Sequence, residues 1–328
     1  MENILVTGGF GFIGSHLVET LISDPDNHVH VVDDLSTSPI NYRAFLDYLG
    51  KPKNLTYNIT TIDQYCKEFS GNQKFTKIYH LASIVGPVGV LSHAGKIAEQ
   101  IINDTRHIIN LALSHKAKIL DVSTSEVYGG GRDGYCSEVD FKIVQPKATV
   151  RLEYAMGKLA AEIALINTTR VTELWASIVR PFNVAGPRQS GKGGFVLPRF
   201  IDQALTGEPL TVYNDGKMIR AFTHVKDIVE GIILGMKYGR RGEAYNIGNP
   251  ANKISIIELA KRVVHLTKSK SEIAFVDPKT LFGPLFEEAN DKYPDADLAM
   301  GELGWKPVYG VDATILATFD YIKAGRQD

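Results

Sequence analysis

The chain has 328 residues, and its 36 basic and 37 acidic side chains leave a formal net charge of −1. That balance gives no electrostatic basis for nucleic acid or an anionic membrane as the main partner, and no run approaches the roughly 18 apolar residues of a membrane span. Cys66 and Cys136 are too few for a disulfide framework, lack the spacing of a metal site and fit a reducing compartment. With no secretory signal at the start, we expect a soluble cytoplasmic protein without a metal.

Short apolar runs and helix patterns alternate over the first 181 residues. Strands are predicted at residues 2–7, 28–32, 55–59, 77–81, 118–123 and 174–180. Helices are predicted up to about residue 22 and at residues 94–115 and 150–167. Strands that alternate with helices predict an α/β fold in which a doubly wound parallel sheet is covered on both faces.

The pattern changes after residue 181, where turn signals become frequent. Short strands at 210–213 and 273–276 predict a smaller mixed α/β C-terminal substrate lobe. The run at 244–247 has the pattern of a further strand of the main sheet. We therefore predict a cofactor domain at 1–181, rejoined by part of about 215–247, and an interleaved lobe at 182–328.

Three glycines follow the first predicted strand and open the first helix. Gly8, Gly11 and Gly14 have the spacing G-x-x-G-x-x-G. Glycine is required where a chain turns tightly, lets a pyrophosphate approach the backbone and packs a helix closely on a strand. The free N–H groups at the start of the helix attract the phosphates. The turn predicts a Rossmann-type site for a dinucleotide.

An acidic pair ends the second predicted strand. Asp33 lies nineteen residues after Gly14, near the spacing expected for a carboxylate that accepts hydrogen bonds from the adenosine ribose. A carboxylate there repels a ribose 2′-phosphate, and Asp34 beside it adds to the effect. The sequence therefore predicts NAD rather than NADP as the cofactor.

Tyr154 and Lys158 stand four residues apart in the predicted helix 150–167. Residues at this spacing share one face of a helix, so the ammonium can lie beneath the phenol. A nearby cation favours the phenolate and lowers the pKa of the tyrosine. Tyr154 is therefore a candidate base for a substrate hydroxyl.

With the glycine turn, the Tyr154 and Lys158 pair and the motif Thr-Ser-Glu-Val-Tyr-Gly at 124–129, a family resemblance emerges. The chain resembles the extended short-chain dehydrogenase/reductase family, in its NAD-dependent nucleotide-sugar epimerase/dehydratase branch, and some segments resemble UDP-glucuronate decarboxylases. The resemblance covers nearly the whole length. Further matching segments lie at 7–16, 80–83, 180–188, 220–227 and 303–307.

The resemblance implies roles for the matching positions. Thr124 is expected to hydrogen-bond the sugar hydroxyl that is oxidised, Tyr154 to act as the base, and Lys158 to bind the nicotinamide ribose. Beside the three glycines and the acidic pair, the implied cofactor residues are Phe12, Ile13, Asn58, Ile59, Leu81, Ala82, Ser83 and Asn103. The implied residues toward a nucleotide-diphosphate sugar are Ser125, Asn183, Arg188 and Arg220.

Glu126 bears on the second step of the reaction, after oxidation at sugar C4. A carboxylate beside Thr124 can act as a base at C5 or assist loss of a carboxylate. Thr-Ser-Glu resembles UDP-glucuronate decarboxylases and GDP-mannose 4,6-dehydratases, and differs from the Thr-Asp-Glu of dTDP-glucose dehydratases. The segment 286–294 holds acids where relatives usually carry an Arg, with Lys292 as the nearest cation, while Arg151 adds a cation near the active helix.

Several reactions therefore stay open at this point. Decarboxylation and epimerisation of the 4-keto intermediate lead, with 4,6-dehydration or net 4-dehydrogenation as alternatives. An alternative of another class is a non-catalytic, NAD-bound regulatory protein on the same fold. Relatives pair the helices that match 94–115 and 150–167, and both carry apolar residues beyond one face, so we expect a homodimer.

Overall fold

A computed structural model describes residues 2–68, 74–130, 134–191, 194–283, 286 and 291–325. Its strands, in chain order, are β1 (Glu2–Thr7), β2 (Asn27–Asp33), β3 (Leu55–Ile59), β4 (Lys77–His80), β5 (Lys118–Val122), β6 (Ala176–Pro181), β7 (Val184–Ala185), β8 (Leu210–Tyr213), β9 (Ile219–Ala221), β10 (Thr223–His224), β11 (Ala244–Ile247), β12 (Lys253–Ser255) and β13 (Ile273–Val276). Its α-helices are α1 (Phe12–Ile22), α2 (Tyr42–Tyr48), α3 (Ile62–Glu68), α4 (Pro87–Ser92), α5 (Ile97–His115), α6 (Val150–Val171), α7 (Val196–Thr206), α8 (Val225–Tyr238), α9 (Ile256–Thr267), α10 (Pro278–Phe282) and α11 (Val311–Ala324).

Seven strands form one parallel sheet in the order β11-β6-β5-β4-β1-β2-β3. β1 pairs with β2 on one side and with β4 on the other. The strand order thus reverses between β1 and β4, and in such sheets ligands bind in the crevice beyond the carboxyl ends of the strands at that point. The predicted doubly wound, Rossmann-type α/β fold is confirmed.

Helices cover both faces of the sheet. Successive strand residues point to opposite faces, so neighbouring residues of β1 pack against different helices. On one face Ile4 of β1 packs in a cluster with Leu17 of α1. On the other face Leu5 packs in a cluster with Ile108 of α5 and Leu165 of α6. α5 and α6 also pack against each other. The second face therefore carries the helix on which Tyr154 and Lys158 lie.

Helix α6 begins at a defined cap. The hydroxyl of Thr149 accepts a hydrogen bond from the backbone N–H of Leu152 at 3.2 Å, which satisfies one donor of the first turn. The helix continues to residue 171, four residues beyond its predicted end.

Across the described segments, no helix has both the length and the apolar character that crossing a membrane requires.

A second lobe follows the sixth strand. β8 pairs with β13 and β9 with β12, and side chains of α7, α9 and α11 form a separate core with them. β11 lies beside β6 in the main sheet, and α8 packs on β5 and β6, so the chain returns from the lobe to the sheet. The boundary at residue 181 stays a prediction.

Candidate active site

A cavity of about 650 Å³ lies beyond the carboxyl ends of the strands and extends to the second lobe. Its wall includes residues of the glycine turn, of the 81–83 and 122–126 segments, of α6 and of the lobe. The cavity therefore lies where the strand order predicts a ligand crevice.

The glycine turn forms a cradle that a side chain at Gly8 or Gly14 would fill. Gly8 has a left-handed backbone (φ 71°), and a Cβ atom there would lie 2.8 Å from the backbone nitrogen of Ala82. A Cβ atom on Gly14 would lie 2.0 Å from the carbonyl oxygen of Gly8. Helix α1 starts after Gly11, and no side-chain hydrogen bond from the described residues caps it. Its first N–H groups and its positive dipole end suit a dinucleotide pyrophosphate.

Asp33 is held rigidly at the end of β2. One carboxylate oxygen accepts from the N–H of Phe10 at 2.9 Å and the other from the N–H of Leu35 at 2.8 Å. Burial raises the pKa of Asp33, and these two hydrogen bonds oppose that rise. Asp33 and Asp34 both line the cavity. A carboxylate has about four acceptor positions, so Asp33 can still accept from ribose hydroxyls.

Three predicted cofactor residues lie outside the cavity wall. Neither Asn58 nor Ile59, both on β3 within the described range 2–68, lines the cavity. Asn103, in the described range 74–130, is exposed on α5 and does not line it either, whereas Gln100 and Asp104 do. A shift of one residue turns a side chain by about 100° around a helix, which explains the difference between Asn103 and Asp104. Phe12, Ile13, Leu81, Ala82 and Ser83 line the cavity.

Tyr154, Lys158 and Thr124 all line the cavity. Tyr154 is 7% exposed and hydrogen-bonded to Thr124, and Lys158 Nζ donates to the carbonyl oxygen of Val122 at 3.1 Å. We expected Lys158 to lower the pKa of Tyr154, but burial raises that pKa, and the hydrogen bond with Thr124 only opposes the rise. Burial likewise lowers the pKa of Lys158. Without a further positive charge beside it, the phenol therefore keeps its proton.

Glu126 lies between two cations. Its carboxylate oxygens accept from Arg151 Nε at 2.7 Å and Nη2 at 2.8 Å, and Lys292 Nζ also donates to it. Burial favours the protonated acid, but Arg151 and Lys292 hold the pKa of Glu126 well below its usual range. Burial lowers the pKa of Lys292 to about 8. Glu126 is therefore a firmly ionised carboxylate and Lys292 an ammonium that releases its proton near neutral pH.

The predicted substrate residues divide into two groups. Ser125, Asn183 and Arg220 line the cavity. Arg188 does not line it within the described range 134–191; its guanidinium lies 4.9 Å from the ring centroid of Phe45 and pairs with Glu19 at 2.7 Å.

Some cavity residues were not predicted from the sequence. Ser123 and Arg199 line the cavity, and the latter donates to the carbonyl oxygen of Thr211 at 3.0 Å. Ser83 Oγ, Ser123 Oγ and Asn183 Nδ2 are buried without a hydrogen-bond partner in the part of the chain that is described. Buried polar atoms are normally satisfied, so these three atoms are suited to contacts with bound ligands. No motif in the sequence marks Ser123 or Arg199.

Comparison with known proteins agrees with this geometry. A family model described as the NAD dependent epimerase/dehydratase family matches residues 4–248. The chain is 36% identical over 302 residues to the UDP-N-acetyl-alpha-D-glucosaminuronate decarboxylase of Bacillus cytotoxicus, covering 90% of this chain and 89% of that protein. It is 35% identical over 305 residues to UDP-glucuronic acid decarboxylase 6 of Arabidopsis thaliana, covering 93% and 84%. The crystal structure of the UDP-glucuronic acid 4-epimerase from Bacillus cereus, in complex with UDP-glucuronic acid and NAD, has a TM-score of 0.84 at 27% identity, covering 98% of this chain and 99% of that chain.

The fold, and a Tyr-Lys pair beside a dinucleotide cradle, define an enzyme of the short-chain dehydrogenase/reductase type. More particularly, the chain belongs to the NAD-dependent epimerase/dehydratase family, because the family model spans most of it and relatives above 30% identity cover nine tenths of it. The predicted family, enzyme class and NAD cofactor are confirmed. The alternative of a non-catalytic NAD-bound protein finds no support in these relatives, which are named as enzymes.

Proposed function

We propose that the protein is an NAD-dependent decarboxylase of a UDP-linked sugar acid. The observation that carries this proposal is the pair of cations on Glu126, with Arg151 binding through two nitrogens and Lys292 through its ammonium. Two cations at Glu126 suit a substrate with a carboxylate of its own. The two decarboxylases at 36% and 35% identity, both named for UDP-linked sugar acids, support the same substrate class.

The first half-reaction oxidises the sugar at C4. The ammonium of Lys158 and the positive charge that a bound nicotinamide would bring favour the phenolate of Tyr154, which takes the proton of the C4 hydroxyl. Thr124 orients that hydroxyl, and Lys158 holds the nicotinamide ribose. When bound, NAD supplies the acceptor for the hydride that leaves C4. The product is a 4-keto sugar acid whose carbonyl lies β to the carboxylate on C5.

The second half-reaction breaks the bond between C5 and the carboxylate carbon. The electron pair of that bond moves toward the C4 carbonyl, whose oxygen is stabilised by hydrogen bonds from Tyr154 and Thr124. CO₂ leaves, and C5 takes a proton that Lys292 supplies through Glu126, which contacts Lys292 and lines the cavity; the pKa of about 8 of Lys292 suits a general acid at neutral pH. Tyr154 then returns its proton to the C4 oxygen as the 4-keto group is reduced again.

The state of Glu126 favours this route over dehydration or C5 epimerisation. Those reactions need a base that accepts the C5 proton at neutral pH. Arg151 and Lys292 hold the pKa of Glu126 well below its usual range, so it is a poor base. Glu126 instead keeps both cations in place for the substrate.

A second candidate function is 4-epimerisation of the same kind of sugar acid. The similarity to the UDP-glucuronic acid 4-epimerase, with a TM-score of 0.84, favours it. Epimerisation shares the first half-reaction but replaces loss of CO₂ with rotation of the 4-keto sugar before the hydride returns.

Mass spectrometry of the products distinguishes these reactions. The purified enzyme with NAD is incubated with UDP-glucuronate and UDP-N-acetylglucosaminuronate, and with UDP-glucose as the matched neutral sugar. We expect loss of CO₂ from a sugar acid and no mass change for UDP-glucose. Formation of an epimer of unchanged mass would support the second candidate, and loss of water would contradict both.

We also propose a homodimer that works in the cytoplasm. α5 and α6 pack on each other and expose Leu113, Ile163 and Val171, the last of them 82% exposed. Exposed apolar side chains on a pair of packed helices suit contact with a second copy related by a two-fold axis. Cys66 and Cys136 are free thiols, which fits a reducing compartment. Light scattering at micromolar concentration should give the mass of a dimer, and a monomer mass would contradict the proposal.

A further inference from the structure

A buried carboxylate lies behind Lys158. Asp121 of β5 is 2% exposed, and the next residue, Val122, accepts the hydrogen bond from Lys158 Nζ. Val122 and Lys158 line the cavity, whereas Asp121, also within the described range 74–130, does not. Asp121 is therefore placed to act through Lys158 rather than by touching a substrate.

The hydrogen bonds around Thr7 and His80 determine which ring nitrogen of His80 carries its proton. Thr7 Oγ accepts from the N–H groups of Leu81 and Ala82 at 3.2 and 3.3 Å, which uses both of its acceptor positions. Its single proton therefore goes to His80 Nδ1, 2.8 Å away. Burial lowers the pKa of His80 to about 3, so the ring is neutral and carries its proton on Nε2. Nε2 faces Asp121 Oδ1 at 3.9 Å.

Two other carboxylates act on Lys158, and each differs from Asp121. Glu162 of α6 is bound to Arg180, whose Nε and Nη2 lie 3.0 and 2.6 Å from its oxygens. Asp104 of α5 lies in the cavity wall and is partly exposed, so solvent screens its charge. Asp121 is enclosed with the ammonium, and the ring that faces it, His80, is neutral.

We propose that Asp121 is the buried counter-ion of Lys158 and a positioning residue for proton transfer by Tyr154, oriented by Thr7 and His80. An ammonium in a dry interior tends to lose its proton unless an anion compensates it. Burial does lower the pKa of Lys158, and Asp121 is the strongest of the groups that oppose this. The inference depends on the hydride chemistry of the family and not on the proposed decarboxylation.

The first test is the pH profile of the first half-reaction in Asp121→Asn. In a single turnover, the absorbance of reduced nicotinamide reports the oxidation at C4, separately from the later proton transfer that we assign to Lys292. Without the carboxylate of Asp121, the pKa of Lys158 falls. The rate of the step that needs the ammonium then begins to decline, on the alkaline side, at a lower pH than in the unmodified enzyme. We expect the alkaline limb to move down by about one pH unit, with about a tenfold loss of rate on that limb.

The matched control is Asp47→Asn, which removes an exposed carboxylate paired with Lys51 at 2.9 Å. Its profile should match that of the unmodified enzyme. An alkaline limb in Asp121→Asn that does not move would overturn the proposal.

The second test needs no substrate, so it stands even if the proposed function fails. Denaturant unfolding compares Asp121→Asn, Lys158→Met and the double variant. Removing Asp121 should destabilise the protein strongly when Lys158 is present and much less in the Lys158→Met background. Additive effects would overturn the pairing. If Asp121→Asn does not fold, folding of the double variant supports the pairing, and failure of both overturns it.

Discussion

Arg151 and Glu126 form a two-point ion pair inside the cavity, with nitrogen–oxygen distances of 2.7 and 2.8 Å. Arg151 lies three residues before Tyr154 on α6, and Glu126 two residues after Thr124. The ion pair thus joins the two segments that carry the first half-reaction. In the proposed reaction, Glu126 holds the guanidinium of Arg151 where it meets the substrate carboxylate.

Arg151→Gln should weaken binding of the sugar acid. Losing a charge-assisted contact to the substrate carboxylate raises KM by about tenfold or more, while NAD binding changes little. Steady-state kinetics and NAD titration measure the two effects. Arg170→Gln, an exposed arginine of the same helix, is the matched control. An unchanged KM in Arg151→Gln would show that the substrate does not contact this side chain.

Tyr154→Phe should abolish turnover. The ring fills the same buried volume, but the group that exchanges the proton is lost, so kcat falls by about a thousandfold or more. NAD affinity, measured by calorimetry, should stay within about threefold, since the cradle of Gly8 and Gly14 is untouched. Near-normal kcat would remove Tyr154 from its proposed role.

Lys292→Met should separate the two half-reactions. The first remains possible, so reduced nicotinamide forms in a burst, while formation of the decarboxylated product slows by about a hundredfold. In the unmodified enzyme the second step should decline above about pH 8, because Lys292, with its pKa of about 8, loses the proton that it donates. Stopped-flow absorbance and mass spectrometry measure the two steps. Lys261→Met, an exposed lysine, serves as control, and normal product formation in Lys292→Met would contradict the assignment.

Asp34→Arg should shift cofactor preference toward NADP. The change replaces an exposed carboxylate beside Asp33 by a cation that can pair with a ribose 2′-phosphate. We expect the ratio of NADP to NAD affinity to rise by about tenfold. Titration of both cofactors measures it. An unchanged ratio would place the adenosine ribose away from Asp34.

His16 should make the fold sensitive to acid. It is 6% exposed and contacts the carbonyl oxygen of Pro187 at 2.9 Å, and burial lowers its pKa from 6.5 to about 4. Below pH 6.5 the unfolded chain therefore binds a proton that the folded protein does not, and stability falls with pH down to about pH 4. The loss from this residue is at most about 1.4 kcal/mol per pH unit.

His16→Gln keeps a donor for Pro187 but does not titrate in this range. Its unfolding free energy, measured by denaturant titration, should lose less between pH 7 and pH 5 than that of the unmodified protein. Parallel pH dependence of the two proteins would contradict the prediction.

The predicted residues that line the cavity depend on patterns close together in the sequence. The G-x-x-G-x-x-G turn is a local motif, and the four-residue spacing of Tyr154 and Lys158 follows from helical geometry. The predicted residues outside the cavity wall are those where one residue decides the orientation of a side chain or where a surface pairing competes. Asp104 rather than Asn103 faces the cavity, and Arg188 stacks on Phe45 instead of reaching it.

Local sequence was enough to specify the α/β fold, the dinucleotide turn and the Tyr154 and Lys158 pair, because periodicity and short motifs encode them. Tertiary packing set how the charges are arranged. Lys292 reaches Glu126 across 166 residues of sequence, and His80 faces Asp121 from a neighbouring strand. Such contacts arise when separate strands and a returning lobe are packed together, and burial then sets the protonation of each group. No local pattern contains that information.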